Sequence, residues 1–152
     1  MTDLTASPAA APAESGLETF PSGRFTFQEF LGLERWIDGD VVRARLRHRP
    51  ELMNYIGSFH GGVLMSVLDA AMAGAIRAQM PGCSMVTIDM ATHFMGSTSG
   101  EINAVGRVLR RTRTLCFCVA EIFDEAGELV ASATGSFKYR PAAAGTVQPT
   151  RE

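Results

Sequence analysis

The sequence predicts an α+β fold in one domain, with one long central helix wrapped by a curved antiparallel β-sheet. Three observations predict it. A single uninterrupted helical periodicity runs from 60 to 79, strand-like alternation lies on both sides of it, and 152 residues at 46% hydrophobic content bury one core of ordinary size.

The elements follow in order. Phe25 to Leu33 carries Phe27, Phe30 and Leu31 at helical spacing and predicts a short helix. Leu33 to Ile37 and Val41 to His48 alternate on either side of Asp38-Gly39-Asp40, the pattern of a hairpin about an Asp/Gly turn. In its second arm Val42, Ala44 and Leu46 face one way and Arg43, Arg45 and Arg47 the other, which predicts a half-buried strand. From His60 to Gln79 the residues Val63, Leu64, Val67, Leu68, Ala71 and Ala75 recur at intervals of three and four, and Pro81-Gly82 ends the helix. Its other face, with Met65, Met72, Ala73 and Ile76, is apolar too and predicts burial on most sides.

Four strand-like runs follow: Ser84 to Met95, Glu101 to Arg111, Leu115 to Asp124 and Leu129 to Tyr139. Their separators contain Ser97-Thr98-Ser99-Gly100, Thr112-Arg113-Thr114 and Glu125-Ala126-Gly127, and together they read as an antiparallel meander. Pro8, Pro12, Pro21, Pro141 and Pro149 fall at the ends. Residues 1–23 and 141–152 are therefore expected to be flexible tails around a domain spanning 24–140.

Composition excludes several classes. A net charge of −2 argues against a protein held to nucleic acid or an acidic membrane by charge alone. Three cysteines without zinc-type spacing make no disulfide framework, and Cys116 and Cys118 read as reduced core residues. The N-terminus lacks a basic and apolar leader pattern, so a cytoplasmic location is expected. The apolar stretch from Gly61 to Ile76 is shorter than a bilayer span and contains Asp69, which argues against a transmembrane segment. No P-loop or GxGxxG is present, and His48 and His93 are isolated, so no metal site is expected.

The densest set of unusual residues is Asn54-Tyr-Ile-Gly57-Ser-Phe-His60-Gly61-Gly62, followed by Asp69. Two glycines at a helix mouth leave bare amides that a developing negative charge can approach, or they simply let the chain turn tightly into the helix. Asp69 shares its helix face with Met65, Met72, Ala73 and Ile76 and has no cation three or four residues away. A carboxylate on an apolar face suits a general base, and the bland alternative is a structural Asp bonded to a hydroxyl. His60, at the helix start, reads as a positioning or capping residue rather than a base.

These residues, at this spacing, resemble the signature of hotdog-fold acyl-CoA thioesterases of the PaaI-like (phenylacetic acid degradation) group. The similarity continues through Val86-Thr-Ile-Asp-Met90, Gly106-Arg107-Val108 and Ala133-Thr-Gly-Ser-Phe137 and covers about 50 to 140. The resemblance implies an acyl-CoA thioesterase in which the Gly61 amide donates to the thioester oxygen and Asn54 helps to polarise or position that carbonyl. It makes Asp69 the general base or the nucleophile, and matches Thr87 to a helper hydroxyl and His60 to the loop histidine. No cofactor is implied beyond coenzyme A as part of the substrate. The chain departs from the pattern at Ala73, where one related lineage has a hydroxyl, and at Gly96, where Pro is usual.

Gly61 and Asp69 are eight residues apart on one helix, about 12 Å along its axis at roughly 1.5 Å per residue, beyond the reach of two groups acting on one carbonyl. The expectation is therefore a homodimer with composite sites, and with the resemblance goes the expectation of a homotetramer, a dimer of dimers. Among the arginines, Arg43, Arg45, Arg47 and Arg49 recur every second residue, whereas Arg107, Arg110, Arg111 and Arg113 gather about a strand end and turn. Arg110, Arg111 and Arg113 are candidates for the phosphates of coenzyme A, against the plain alternative of a solvated strand face. Gly62, Phe59 and Phe94 are expected to contact substrate, the phenylalanines in an acyl pocket with Met65 and Met72, or else to serve the core. The rival to hydrolysis is a non-catalytic hotdog module that binds acyl-CoA as a sensor or carrier. A hotdog hydratase or dehydratase ranks below both.

Overall fold

The computed structural model describes residues 26–140, and the two expected tails lie outside the described residues. The first element, α1 (Phe27–Leu31), is fastened by a capping box: the Thr26 hydroxyl accepts from the Glu29 amide, and the Glu29 carboxylate accepts from the Thr26 amide. The Thr26 amide, and after it the hydroxyl, hold the Glu29 carboxyl below its ordinary value. Gly32, at φ 71°, closes the far end in the left-handed conformation that favours glycine. Arg49 Nη2 donates to the Phe30 carbonyl at 2.7 Å, its guanidinium lies 5.8 Å from the centre of the Phe30 ring, and Leu31 is buried. A helix this short does not persist alone, so these contacts hold it.

β1 (Glu34–Asp38) and β2 (Val41–Leu46) form the expected hairpin. Val42, Ala44 and Leu46 are buried, and on the other face Arg43 pairs with Asp38 at 2.6 Å, Arg45 with Glu34, and Arg47 with Glu34 at 3.3 Å. Three of the first arginine run are thus occupied by carboxylates of the sheet itself, and the fourth, Arg49, by Phe30.

After a 3-10 turn at Pro50–Leu52 comes α2 (Gly61–Gln79), the expected central helix. By length and composition it could cross a bilayer, but Leu64, Val67, Leu68, Ala71, Met72, Ala75 and Ile76 are buried in the domain. Its second face is only partly covered: Met72 and Ile76 are buried, whereas Met65 is 38% exposed and Asp69 half-buried. Burial on most sides is therefore not reached within one chain. The helix crosses the sheet at Gly106, where an added Cβ would stand 2.4 Å from the Ala71 carbonyl oxygen.

The remaining strands are β3 (Ser84–Phe94), β4 (Ile102–Arg111), β5 (Leu115–Phe123) and β6 (Leu129–Arg140), within one residue of their expected limits. All pairs are antiparallel, and the order across the open sheet is β1-β2-β4-β5-β6-β3. One expectation needs correction. The meander has three strands, β4 to β6, because α2 carries the chain across the sheet and β3 joins the far edge beside β6. The segment 95–101 then returns the chain so that β4 pairs with β2. With one long helix packed on this curved sheet, the architecture is the hotdog fold.

One irregularity positions a side chain. Thr87 pairs with Phe137 and Asp89 with Ser136, which leaves Ile88 as an extra residue in β3. The bulge reverses the alternation, so Thr87 faces α2 while Asp89 faces away and accepts from Ser136 Oγ at 2.6 Å.

Cys83, Cys116 and Cys118 are free thiols and buried. Burial, and after it the neighbouring Cys116, pushes the Cys118 thiol up to about 12, and burial raises the other two from their ordinary 9.0. Iodoacetamide at pH 8 is expected to label these thiols slowly in the folded protein and rapidly after denaturation, as mass spectrometry would record; full labelling without unfolding would contradict it. The sign for stability follows. Thiols ionise in the unfolded chain above 9.0 while Cys118 stays protonated, so their stabilising effect is complete below 9.0 and is lost as pH rises towards about 12.

Candidate functional site

The sequence-predicted residues gather in two separate clefts. The first lies at the start of α2. An isolated antiparallel bridge between Met53 and Phe59 closes the preceding loop, and His60 N donates to the Leu52 carbonyl at 2.9 Å. Asn54 organises the loop from within: its Oδ1 accepts from the amides of Ile56 (3.0 Å) and Ser58 (3.1 Å), and its Nδ2 donates to Ser58 Oγ at 3.0 Å. One Nδ2 hydrogen is left to face a ligand.

His60 is the N-cap of α2. Its Nδ1 accepts from the Gly62 amide at 3.0 Å, which places the ring proton on Nε2, and its carbonyl accepts from Val63 (2.9 Å) and Leu64 (3.2 Å). Gly62 therefore holds its own helix start, with its amide engaged. The Gly61 amide has no acceptor among the described residues, and it sits at the positive end of the helix dipole. Phe94 stands beside this residue, with its Cζ 3.4 Å from where a Gly61 Cβ would be. Asn54, Ile56, Ser58, Phe59, Gly61 and Phe94 are among the residues lining this cleft of about 230 Å³. Phe59 is buried in its wall and Phe94 is exposed at its mouth.

Gly96 lies in the same cleft, and its departure from the usual Pro has a local cause. Its amide donates to the Val130 carbonyl at 2.9 Å, and a Cβ there would stand 3.3 Å from Leu129 O and Val130 Cα. Proline has no amide hydrogen to make that bond.

The second cleft, of about 220 Å³, is lined by Phe27, Gln28, Met65, Ser66, Asp69 and Met90. Asp69 Oδ1 accepts from Thr87 Oγ1 at 2.8 Å, the contact that the Ile88 bulge makes possible. Ala73 carries no hydroxyl, so Thr87 supplies the one side-chain donor to this carboxylate among the described residues. Met72, expected beside the ligand, is fully buried in the core instead. The structure thus brings Asn54, His60, Gly61, Phe59 and Phe94 together, and Asp69 with Thr87, but does not bring the two groups to each other.

The exposed arginines at 110, 111 and 113 form the tip of the β4–β5 hairpin. Arg111 lies in register with Cys116, Phe137 and Thr87, three strand spacings from Thr87, or about 14 Å. They are level with the Asp69 half-site and at the opposite end of the sheet from Phe94. Lys138 and Arg140 on β6 share that end and, with Ser84, Met85 and Val86, line a third depression. Among the described residues no group of three or more His, Cys, Asp or Glu is placed to hold a metal ion.

Sequence reasoning missed Phe27, Gln28, Lys138 and Arg140. The signal for α1 was present in Thr26-x-x-Glu29, a capping box that marks an ordered helix start. Nothing local places that helix beside Asp69.

Comparisons with known proteins agree with this fold. The family model of the thioesterase superfamily matches residues 56–131. The candidate esterase Rv1847 of Mycobacterium tuberculosis is 30% identical over 111 residues, which is 69% of this chain and 79% of that protein. A candidate thioesterase of Ralstonia eutropha, related to phenylacetic acid degradation, superposes with a TM-score of 0.69 at 25% identity, covering 80% of this chain and 92% of that one. PaaI of E. coli, from the phenylacetic acid degradation operon, shares the fold with a TM-score of 0.69 at 22% identity, covering 76% of this chain and 85% of its own.

Proposed function

The chain belongs to the thioesterase superfamily and is a thioester hydrolase, and from that premise we propose that it cleaves an acyl-CoA or aryl-CoA thioester to a carboxylic acid and coenzyme A in a site built by two copies. The observation that carries this reading is the separation of the clefts. The open Gly61 amide and the Thr87-held Asp69 carboxylate are complementary halves of one hydrolytic site, yet they lie on different stretches of one straight helix. A twofold axis between antiparallel α2 helices joins the Gly61 cleft of each copy to the Asp69 cleft of the other.

The exposed edge of the sheet supports the pairing. β3 is one of the two edge strands, with Val86 63% and Ile88 55% exposed, and an unpaired edge that carries exposed apolar residues invites a second chain. In the joined site the Gly61 amide, assisted by the remaining Asn54 Nδ2 hydrogen, donates to the thioester oxygen. Asp69 takes a proton from water as that water adds to the carbonyl carbon, and the negative charge moves onto the oxygen held by Gly61. Collapse breaks the C–S bond, and the proton held by Asp69 returns to the departing thiolate. In the nucleophilic variant Asp69 attacks the carbonyl carbon, the C–S bond breaks to release the thiolate, and water then cleaves the mixed anhydride and supplies the proton that the thiolate takes up. Arg110, Arg111 and Arg113, joined by Lys138 and Arg140, supply guanidinium and ammonium groups for the phosphates of coenzyme A.

Thiol release from a panel of acyl-CoA esters tests the hydrolysis, and tight binding of these esters without thiol release would replace it with the sensor or carrier role. Complementation tests the composite site. Gly61→Pro removes the amide at a helix position that tolerates proline, and Asp69→Asn disables the other half. Each variant alone is expected to be nearly inactive. Mixed subunits should recover about a quarter of wild-type activity, because half the dimers are mixed and each holds one intact site of two. No recovery on demonstrated subunit exchange would place the site within one chain.

A further inference from the structure

We propose that α1 is the acyl-selecting wall of the active site, and that the acyl group it accepts is uncharged and of short to medium length. This rests on the hydrolase reading above and adds which end of the thioester lies beside Asp69. Phe27 and Gln28 are the two residues of α1 that reach the Asp69 cleft, where they meet Met65, Ser66 and Met90. The wall is fixed in place: the Thr26–Glu29 capping box, the Gly32 cap, buried Leu31 and the Arg49 contacts to Phe30 all act on this single helical turn.

The lining decides the chemistry. Asp69 is the one charged residue among the six, so the phosphates of coenzyme A are repelled from this cleft and belong elsewhere. The acyl end is what remains, and a free carboxylate on that end meets the same repulsion. Phe27, 61% exposed and stacked with Phe30 at 6.4 Å between ring centres, offers an apolar face opposite two methionines that adapt to irregular shapes. The Ser66 hydroxyl is engaged with the Gly62 carbonyl at 2.8 Å, which leaves the Gln28 amide as the neutral polar group of the wall. In a single chain the cleft's 220 Å³, about seven water-sized groups at roughly 30 Å³ each, is filled by a hexanoyl or benzoyl group.

The test measures kcat/KM by thiol release with acetyl-, hexanoyl-, benzoyl-, palmitoyl- and succinyl-CoA for wild type, Phe27→Ala and Gln28→Arg. Wild type is expected to favour hexanoyl- or benzoyl-CoA over palmitoyl-CoA, and over succinyl-CoA by about 100-fold. Phe27→Ala should lower the hexanoyl-to-acetyl ratio about tenfold, since the lost contact grows with acyl size. Gln28→Arg places a cation in the wall and should raise the succinyl-to-hexanoyl ratio about tenfold, a gain that misfolding does not mimic. Thiol release with both ratios unchanged in the variants, or wild-type turnover of succinyl-CoA equal to hexanoyl-CoA, overturns the assignment of α1 and leaves the hydrolase reading standing. Absence of thiol release from every ester overturns the hydrolase reading and this inference with it.

Discussion

Asp69→Asn is expected to lower kcat for thioester hydrolysis by about 10³-fold, a loss of roughly 4 kcal/mol of transition-state stabilisation. Asparagine keeps the shape of the side chain and an oxygen to accept the Thr87 hydroxyl, now 2.8 Å from Asp69 Oδ1, so the loop and helix geometry is retained. What disappears is the capacity to take a proton from water or to attack carbon. The loss should therefore appear in kcat, with KM for the CoA ester changed far less. Thr87→Val removes only the donor that aims the carboxylate, and a decrease of about tenfold is expected, the size of one hydrogen bond to a charged group. Steady-state thiol release checks both, and a kcat for Asp69→Asn within about twofold of wild type would sink the assigned role. Single turnover in ¹⁸O water identifies one form of the mechanism: label on the Asp69 carboxylate requires nucleophilic attack followed by water opening the anhydride at the Asp69 carbon, whereas general-base hydrolysis places all of it in the released acid.

Gly106→Ala is expected to destabilise the fold by about 3 kcal/mol or more, at the upper end of overpacking effects. The added Cβ would lie 2.4 Å from the Ala71 carbonyl oxygen and 2.5 Å from its carbon. Both are helix backbone, so no side-chain rotation relieves the contact, and α2 must lift from the sheet. For a domain of this size that corresponds to a fall in Tm of roughly 10 °C. Ala71 is two residues from Asp69, and a lifted helix also displaces the carboxylate from Thr87, so activity should fall below what the unfolded fraction explains. Gly74→Ala is the informative contrast. Its Cβ would meet the Val42 side chain at 3.0 Å, which can give way, and alanine favours the helix, so the net change should be much smaller. Equal stability of wild type and Gly106→Ala in chemical denaturation would show that the close crossing is not required.

Local patterns determined much of this protein. The 3.6-residue periodicity located α2, the strand-like runs located every strand within two residues, and His60-Gly61-Gly62 with Asp69 marked the candidate site. The separation of Gly61 from Asp69 was legible too, because the rise of a helix fixes how far apart eight residues stand. The site was less legible where it depends on neighbours. Gly62 and Gly61 are alike as letters, and only the folded N-cap distinguishes the amide engaged by His60 Nδ1 from the open one.

Tertiary structure alone decided the rest. An alternating run records which residues share a face but carries no information on which strand lies beside it, so β3 read as part of a meander until its pairing with β6 placed it at the edge. Strict alternation puts Thr87 and Asp89 on one face, whereas the Ile88 bulge, a property of pairing with β6, lets Thr87 meet Asp69 while Asp89 faces away. The position of α1 beside Asp69 depends on Arg49 and Leu31 contacts formed between segments distant in the chain. Sequence thus determined the elements and the candidate site residues, since both arise from spacings of a few residues. Which of those residues face one another was settled by long-range packing, because a burial pattern is satisfied by more than one set of neighbours.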